Sequence, residues 1–382
     1  MDDLLRWRAE FPALEGSVYM VSHSLGAMPR AAYDALREFA DLWVKSSINA
    51  WLEAWLPEVD RAGERVGRIL GAPPGSVIML PNVSTAQSIV ASCFDFDRER
   101  RKVVYTDLNF PTVSYVWKAE ERRGAKVEIV RSDDGIGVPT ARLLEAIDER
   151  TLIVPISHVL FRSSFVQDAA AIVARAHEVG ALVLLDTYQS AGTLPLDVGA
   201  LGVDMATGGS VKWLCGGPGA GYLYVRPDLL PRLRPRVTGW FAHRTPFAFE
   251  MPEQDYADGP WRMIGGTPSI APLYQARAGA EIIAQIGVDR IREKSLRQTE
   301  RLIALADRAG FRLGSPREPA RRGGTVCFDF DGSGEVAREL NRRKFFCDHR
   351  PQCGIRVSPH FYTTDEEVDR FMEEVDRIRK RR

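Results

Sequence analysis

The stretch Ala181-Leu-Val-Leu-Leu-Asp186-Thr-Tyr-Gln189, continued through Val203-Asp-Met-Ala206 and Thr207-Gly-Gly-Ser-Val-Lys212 to Cys215-Gly-Gly-Pro-Gly-Ala-Gly221, decides the fold. An apolar run that ends on a carboxylate, preceded by a helical stretch and followed by turn residues, reads as a buried parallel strand. Its carboxyl end is where an open α/β sheet binds ligands. Val203–Ala206 is predicted as a second short strand. The Gly-Gly-Ser turn and Lys212 come after it, then a glycine-rich turn and a last strand, Tyr222–Val225.

An acid at one strand end and a lysine in the loop after the next suit a pyridinium cofactor. Pyridoxal phosphate (PLP) needs a carboxylate to keep its ring nitrogen protonated and a lysine to hold it as a Schiff base. Asp186 and Lys212 fit those two needs, and Gln189 is placed to reach the ring hydroxyl. Taken singly, each has a plainer reading as a loop cap or a solvated surface residue. Together, in this strand–loop setting, they resemble the class V branch of fold-type I PLP enzymes, and within it kynureninase. That resemblance implies a mostly parallel α/β sheet flanked by helices, with a smaller α+β C-terminal domain. The boundaries expected are 1–30 for an N-terminal segment packing with the small domain, 31–270 for the large PLP-binding domain, and 271–382 for the small domain.

Composition agrees with an ordinary globular protein. The 382 residues are 45% hydrophobic and 27% charged, and 51 basic residues balance 51 acidic ones. This charge balance gives no support for a nucleic-acid partner. No run reaches membrane-spanning length, so a membrane partner is not expected. Five irregularly spaced cysteines do not form a disulfide framework, and a cytoplasmic location is expected.

Other motifs follow in the family's order. Ser22-His-Ser-Leu-Gly26 is similar to the Gly-Asn-Ser-Leu-Gly turn of kynureninases, with His23 for Asn; the resemblance implies that Ser24 closes over substrate, and the plain reading is a helix cap. Ser84 and Thr85, in Pro81-Asn-Val-Ser-Thr85, stand at a predicted helix start, where free amides and hydroxyls make an anion site. They are the expected phosphate cradle, unless Ser84 is only the N-cap. Asn109-Phe-Pro-Thr112 resembles a motif whose Phe stacks on the pyridine face, which points to Phe110, although an ordinary core Phe fits as well. The family's next residue is Asp; here it is Val113. Ser157-His-Val-Leu-Phe-Arg162 places His158 and Arg162 at the ligand edge, and a satisfied core histidine is the alternative for His158.

Gly239-Trp-Phe-Ala-His243 is close to the family's Gly-Trp-x-Gly-His, which implies that Trp240 and His243 line the substrate site. Gly266-Thr-Pro268 resembles a turn that reaches the phosphate of a partner subunit, with Thr267 as the contact; a homodimer with shared active sites is expected. Gly354-Ile-Arg-Val357 resembles the strand whose arginine grips the substrate α-carboxylate in a two-pronged hydrogen bond, which a guanidinium does well. Arg356 is therefore assigned to the substrate, with a structural ion pair as the other reading. Ser210, two residues before the lysine, completes the cofactor set. Cys347, His349, Cys353 and His360 have spacings outside the usual zinc pattern, so no metal is expected.

Two departures bear on the reaction. Kynureninases carry a Tyr directly before the lysine, and Val211 stands there. Their Asp-x-x-His is Asp186-Thr-Tyr-Gln189 here, and Tyr188, on another loop, is not expected to replace the missing phenol. The expected activity is kynureninase-like hydrolytic or lyase cleavage in the side chain of an α-amino acid. A class V aminotransferase, or an epimerase or C–S lyase of the same branch, is the alternative.

Overall fold

A computed structural model describes residues 2–249 and 254–381. In chain order the elements are β1 (Val18–Tyr19), α1 (Ala31–Ser46), α2 (Leu56–Leu70), β2 (Val77–Leu80), α3 (Val83–Ser92), β3 (Lys102–Thr106), α4 (Pro111–Ala119), β4 (Lys126–Val130), α5 (Thr140–Glu145), β5 (Thr151–Ser157), α6 (Ala169–Glu178), β6 (Leu182–Asp186), β7 (Met205–Gly209) and β8 (Gly221–Val225). The remainder comprises α7 (Ala271–Ile286), α8 (Val288–Arg308), β9 (Arg312–Leu313), β10 (Val326–Asp329), α9 (Ser333–Arg342), β11 (Phe345–Phe346), β12 (Asp348–Arg350), β13 (Gly354–Val357) and α10 (Asp365–Lys380).

Seven strands form the main sheet in the order β2-β8-β7-β6-β5-β3-β4. The run β7-β6-β5-β3-β4 is parallel, and β8 pairs antiparallel with both β2 and β7. The sheet is covered on both faces, and every residue of the parallel strand β3, of β7 and of the antiparallel pair β2 and β8 is buried. The carboxyl ends of β3, β5, β6 and β7 come together along one edge. This edge carries the site.

One strand differs from its prediction. The element expected at 203–206 runs instead from Met205 to Gly209, so the Gly-Gly pair lies in the strand and not in a turn. Glycine is demanded there by close packing. A Cβ on Gly208 would lie 2.2 Å from the Tyr222 hydroxyl, and one on Gly209 would lie 2.6 Å from that of Tyr188.

A second, antiparallel sheet has the order β12-β13-β10-β9, and β1 pairs in parallel with β11 beside it. Its core gathers Val18 and Met20 of the N-terminal segment with Leu302, Phe328, Ile355 and Phe371. The last helix, α10, starts with a capping box in which Thr364 and Glu367 exchange side chain–backbone hydrogen bonds. Among the described residues no helix is long and apolar enough to cross a membrane.

Candidate active site

Three strand ends and two helix starts surround a cavity of about 210 Å³. Lining it are Asn82 and Ser84 of the α3 entry, Phe110 and Thr112 of the α4 entry, Ser157, Val159 and Phe161 after β5, Asp186, Tyr188 and Gln189 after β6, and Lys212 after β7. Its volume falls below the ~300 Å³ at which drug-sized pockets begin, which suits a single substituted ring.

Asp186 is buried at the tip of β6. Its Oδ1 accepts the Tyr188 amide at 3.0 Å, and among the described residues no protein group donates to Oδ2. Burial raises its pKa, offset in part by that amide and by the Lys212 charge. For Lys212 burial works the other way: loss of solvent lowers the amine to about 8, opposed by Asp186 and assisted by Arg356. The amine lies over two rings, 4.2 Å from the Tyr188 centroid and 5.4 Å from that of Phe110. Tyr188 therefore presents its ring face to the lysine, although it comes from another loop. The turn Thr187–Gln189 brings its ring back over the end of β7, where Gly209 leaves room.

Gln189 is held by both ends of its amide. Its Nε2 donates to the His23 carbonyl at 3.0 Å, and its Oε1 accepts the Trp213 indole N–H at 2.9 Å. One Nε2 hydrogen remains for a ligand. The N-terminal turn packs directly on the lysine loop. The Gly26 amide donates to the Val211 carbonyl at 2.8 Å, and a Cβ on Gly26 would lie 2.1 Å from the Lys212 carbonyl oxygen.

At the α3 end of the cavity the N-cap is Asn82, and not Ser84. Its Oδ1 takes both the Thr85 amide, at 2.9 Å, and the Thr85 hydroxyl, at 3.2 Å. Thr85 is spent on the cap and does not line the cavity. Ser84 does, and its hydroxyl pairs with that of Thr112 at 3.0 Å. Phe110 projects from the turn before α4, fixed by Thr106 donating to Asn109 at 2.7 Å and Asn109 donating to the Pro155 carbonyl at 3.1 Å.

Several expected contacts lie elsewhere. The Ser210 hydroxyl is committed to the carbonyls of Gly217 and Ala220, both at 3.1 Å, and pins the glycine turn. His158 alternates with Ser157 and Val159 and so faces away; it lines a separate cleft with Arg68, Gln167 and Asp197. Burial lowers its pKa to about 4. Trp240 stacks with Phe249 and packs edge-on against Phe247, and His243 accepts the Thr245 amide; neither lines the cavity of this chain. Thr267 is exposed. Arg162 reaches Gln352 and lies outside the cavity.

Arg356 is the largest departure from expectation. It is 2% exposed and does not line the cavity. Its Nε donates to Asp348 Oδ1 at 2.8 Å and its Nη2 to Asp348 Oδ2 at 2.5 Å, a two-pronged pair. Nη2 also reaches Ser24 Oγ at 3.1 Å, and Nη1 donates to the Phe161 carbonyl. Asp348 in turn accepts from His23 Nε2 at 3.0 Å and from the Ser24 hydroxyl at 2.5 Å. Burial alone would raise its pKa, yet the His23 and Arg356 bonds hold it far below the carboxylate range. Sequence reasoning missed Asp348. The signal was available: Asp348 and Arg356 flank the turn Pro351-Gln-Cys-Gly354 at hairpin spacing, and they are directly opposed in the β12–β13 ladder. Of the four residues weighed as a metal cluster, Cys353 donates to the Arg162 carbonyl and His360 meets the Trp213 carbonyl at 2.9 Å.

Comparison with known proteins settles the lineage. The family model described as aminotransferase class V matches residues 19–371. The chain belongs to that family. An uncharacterized aminotransferase of Bacillus subtilis, YcbU, is 32% identical over 370 residues, covering 97% of this chain and 96% of that protein. Kynureninase of Pseudomonas fluorescens is 32% identical over 383 residues, covering 96% of this chain and 90% of that enzyme. Among solved structures, the apo cysteine desulfurase of Thermococcus onnurineus superposes with a TM-score of 0.87 at 20% identity, covering 99% of this chain and 98% of the other. C-DES with glycine covalently linked to its PLP cofactor gives 0.85 at 21% identity, covering 97% and 98%. The fold is that of fold-type I PLP enzymes, and the protein is a PLP-dependent enzyme. The cavity fits the cofactor: a buried acid with a free oxygen, an amine lowered toward neutrality and a helix start sit around one ring-sized space.

Proposed function

We propose that this protein binds an α-amino acid and cleaves its side chain in a kynureninase-like hydrolase or lyase reaction. Lys212 carries the reading: it is an amine lowered to about 8 in the same cavity as the buried Asp186. When bound, PLP draws electrons from the bonds at the substrate α-carbon. Asp186 Oδ2 would hold the ring N–H, the spare Nε2 hydrogen of Gln189 the ring oxygen, and Phe110 one ring face. Ser84 and the α3 amides would hold the phosphate. The Lys212 amine would anchor the cofactor, then carry a proton to and from the substrate α-carbon, a task suited to an amine near its operating pH. Arg356 would take the α-carboxylate.

Thr267, Trp240 and His243 would act in a homodimer, reaching the site of a second copy. The exposure of Thr267 and Trp240 in the single chain, and the apolar cluster of Trp240, Phe247 and Phe249, support this arrangement. The division into 1–30, 31–270 and 271–382 is also proposed; a second core that joins Val18 and Met20 to Leu302, Phe328 and Ile355 supports it, while α7 packs in the first core.

A second reading, a class V aminotransferase, is favoured by Val211 in place of the kynureninase tyrosine and by the likeness to YcbU. Product analysis with a panel of amino acids bearing aromatic or carbonyl side chains separates the two. Release of alanine with an unchanged amine count is expected. A keto acid formed with loss of the substrate amino group would replace the first reading with the second.

A further inference from the structure

Arg356 presents a problem that the carboxylate role alone does not solve. Each of its three nitrogens already donates to the protein, and the two-pronged edge formed by Nε and Nη2 is filled by a carboxylate. The pair is buried and carries no net charge, so it does not attract an anion as a free guanidinium would. Asp348 is also not wholly dependent on Arg356. It holds His23 Nε2, the Ser24 hydroxyl and, at 3.2 Å, the half-exposed Arg350 on its own strand. Those three donors would remain to it if the Arg356 bonds were given up. Among the described residues, strand β12 lies at the edge of its sheet.

We propose that Asp348 is a specificity-determining residue: it occupies Arg356 as a resident carboxylate, so that substrate binds by exchange, its own carboxylate replacing that of Asp348. The exchange breaks two charge-assisted hydrogen bonds and makes two of the same kind. The α-carboxylate therefore adds little net affinity, and discrimination passes to the substrate side chain. This inference rests on the reading of the protein as an amino-acid enzyme, and concerns only how the carboxylate is admitted.

The test uses PLP-loaded enzyme and acetate, a carboxylate with no amine to react, titrated calorimetrically in chloride-free buffer. Asp348→Asn is expected to bind acetate about tenfold more tightly than the wild type, the scale of one charge-assisted bond released to a ligand. The gain should vanish in Asp348→Asn/Arg356→Ala. Unchanged or weaker binding by Asp348→Asn, or a gain that survives in the double variant, would overturn the proposal. Should Asp348→Asn fail to fold, a crystal structure of the wild-type loaded enzyme with an amino acid decides: Asp348 moved off Arg356 supports the exchange, and Asp348 still two-pronged on Arg356 contradicts it. Failure of the PLP reading would look different, as wild-type protein that takes up no cofactor at all.

Discussion

The two cations of the site, Lys212 and Arg356, are both drawn from water but left in opposite electrical states. Lys212 stands over two aromatic rings with no carboxylate in contact among the described residues, and burial lowers its pKa to about 8. Arg356 is locked to Asp348 and tied to the N-terminal turn through Ser24. A lysine can lose its proton and so be buried as a nucleophile; a guanidinium cannot, so its burial requires a partner carboxylate. The lysine end is therefore built for covalent chemistry, and the arginine end for a neutral, exchangeable contact.

Breaking the arginine end gives the largest expected effect. Arg356→Ala removes the two-pronged partner of Asp348 and the bonds to Ser24 and Phe161, while His23, Ser24 and Arg350 remain to Asp348, and a loss of about 3 kcal/mol in unfolding free energy is expected by denaturant titration. The exposed pair of Arg244 with Asp255 serves as the contrast, and Arg244→Ala should cost less than about 1 kcal/mol. At the lysine end, Asp186→Asn keeps the shape but removes the charge proposed to face the ring nitrogen. Turnover should fall about 10²–10³-fold, with the melting temperature nearly unchanged.

The smallest effect concerns pH. Only the neutral Lys212 amine attacks an aldehyde, so the rate of cofactor uptake by apo protein should rise about tenfold per pH unit below about 8 and level off above it. A plateau that begins only near pH 10.5, the ordinary lysine value, would show that burial does not tune this amine.

The contrast also explains what could be read in advance. The lysine end is built from contiguous motifs at strand ends, where apolar runs stop at Asp186 and helix entries follow Asn82 and Phe110, so sequence order alone placed them along one edge. Ser210 and His158 went astray because side-chain direction depends on local register: one residue along β5 turns a side chain from cavity to opposite face. The arginine end joins a hairpin pair, 348 and 356, to residues 23–24 and 161, which reach it only through tertiary contacts, so the hairpin spacing was legible and the rest of the cluster was not. The approach of the Tyr188 ring to Lys212 was not legible for a related reason. The strand end beneath it is glycine, and only the fold shows that this vacancy admits a ring.

The most direct measurement is to reduce PLP-loaded enzyme with borohydride, digest it and locate the pyridoxyl group by mass spectrometry. The account predicts a single modified peptide, with the group on Lys212. A group fixed on any other lysine, or no fixed group at all, would contradict it.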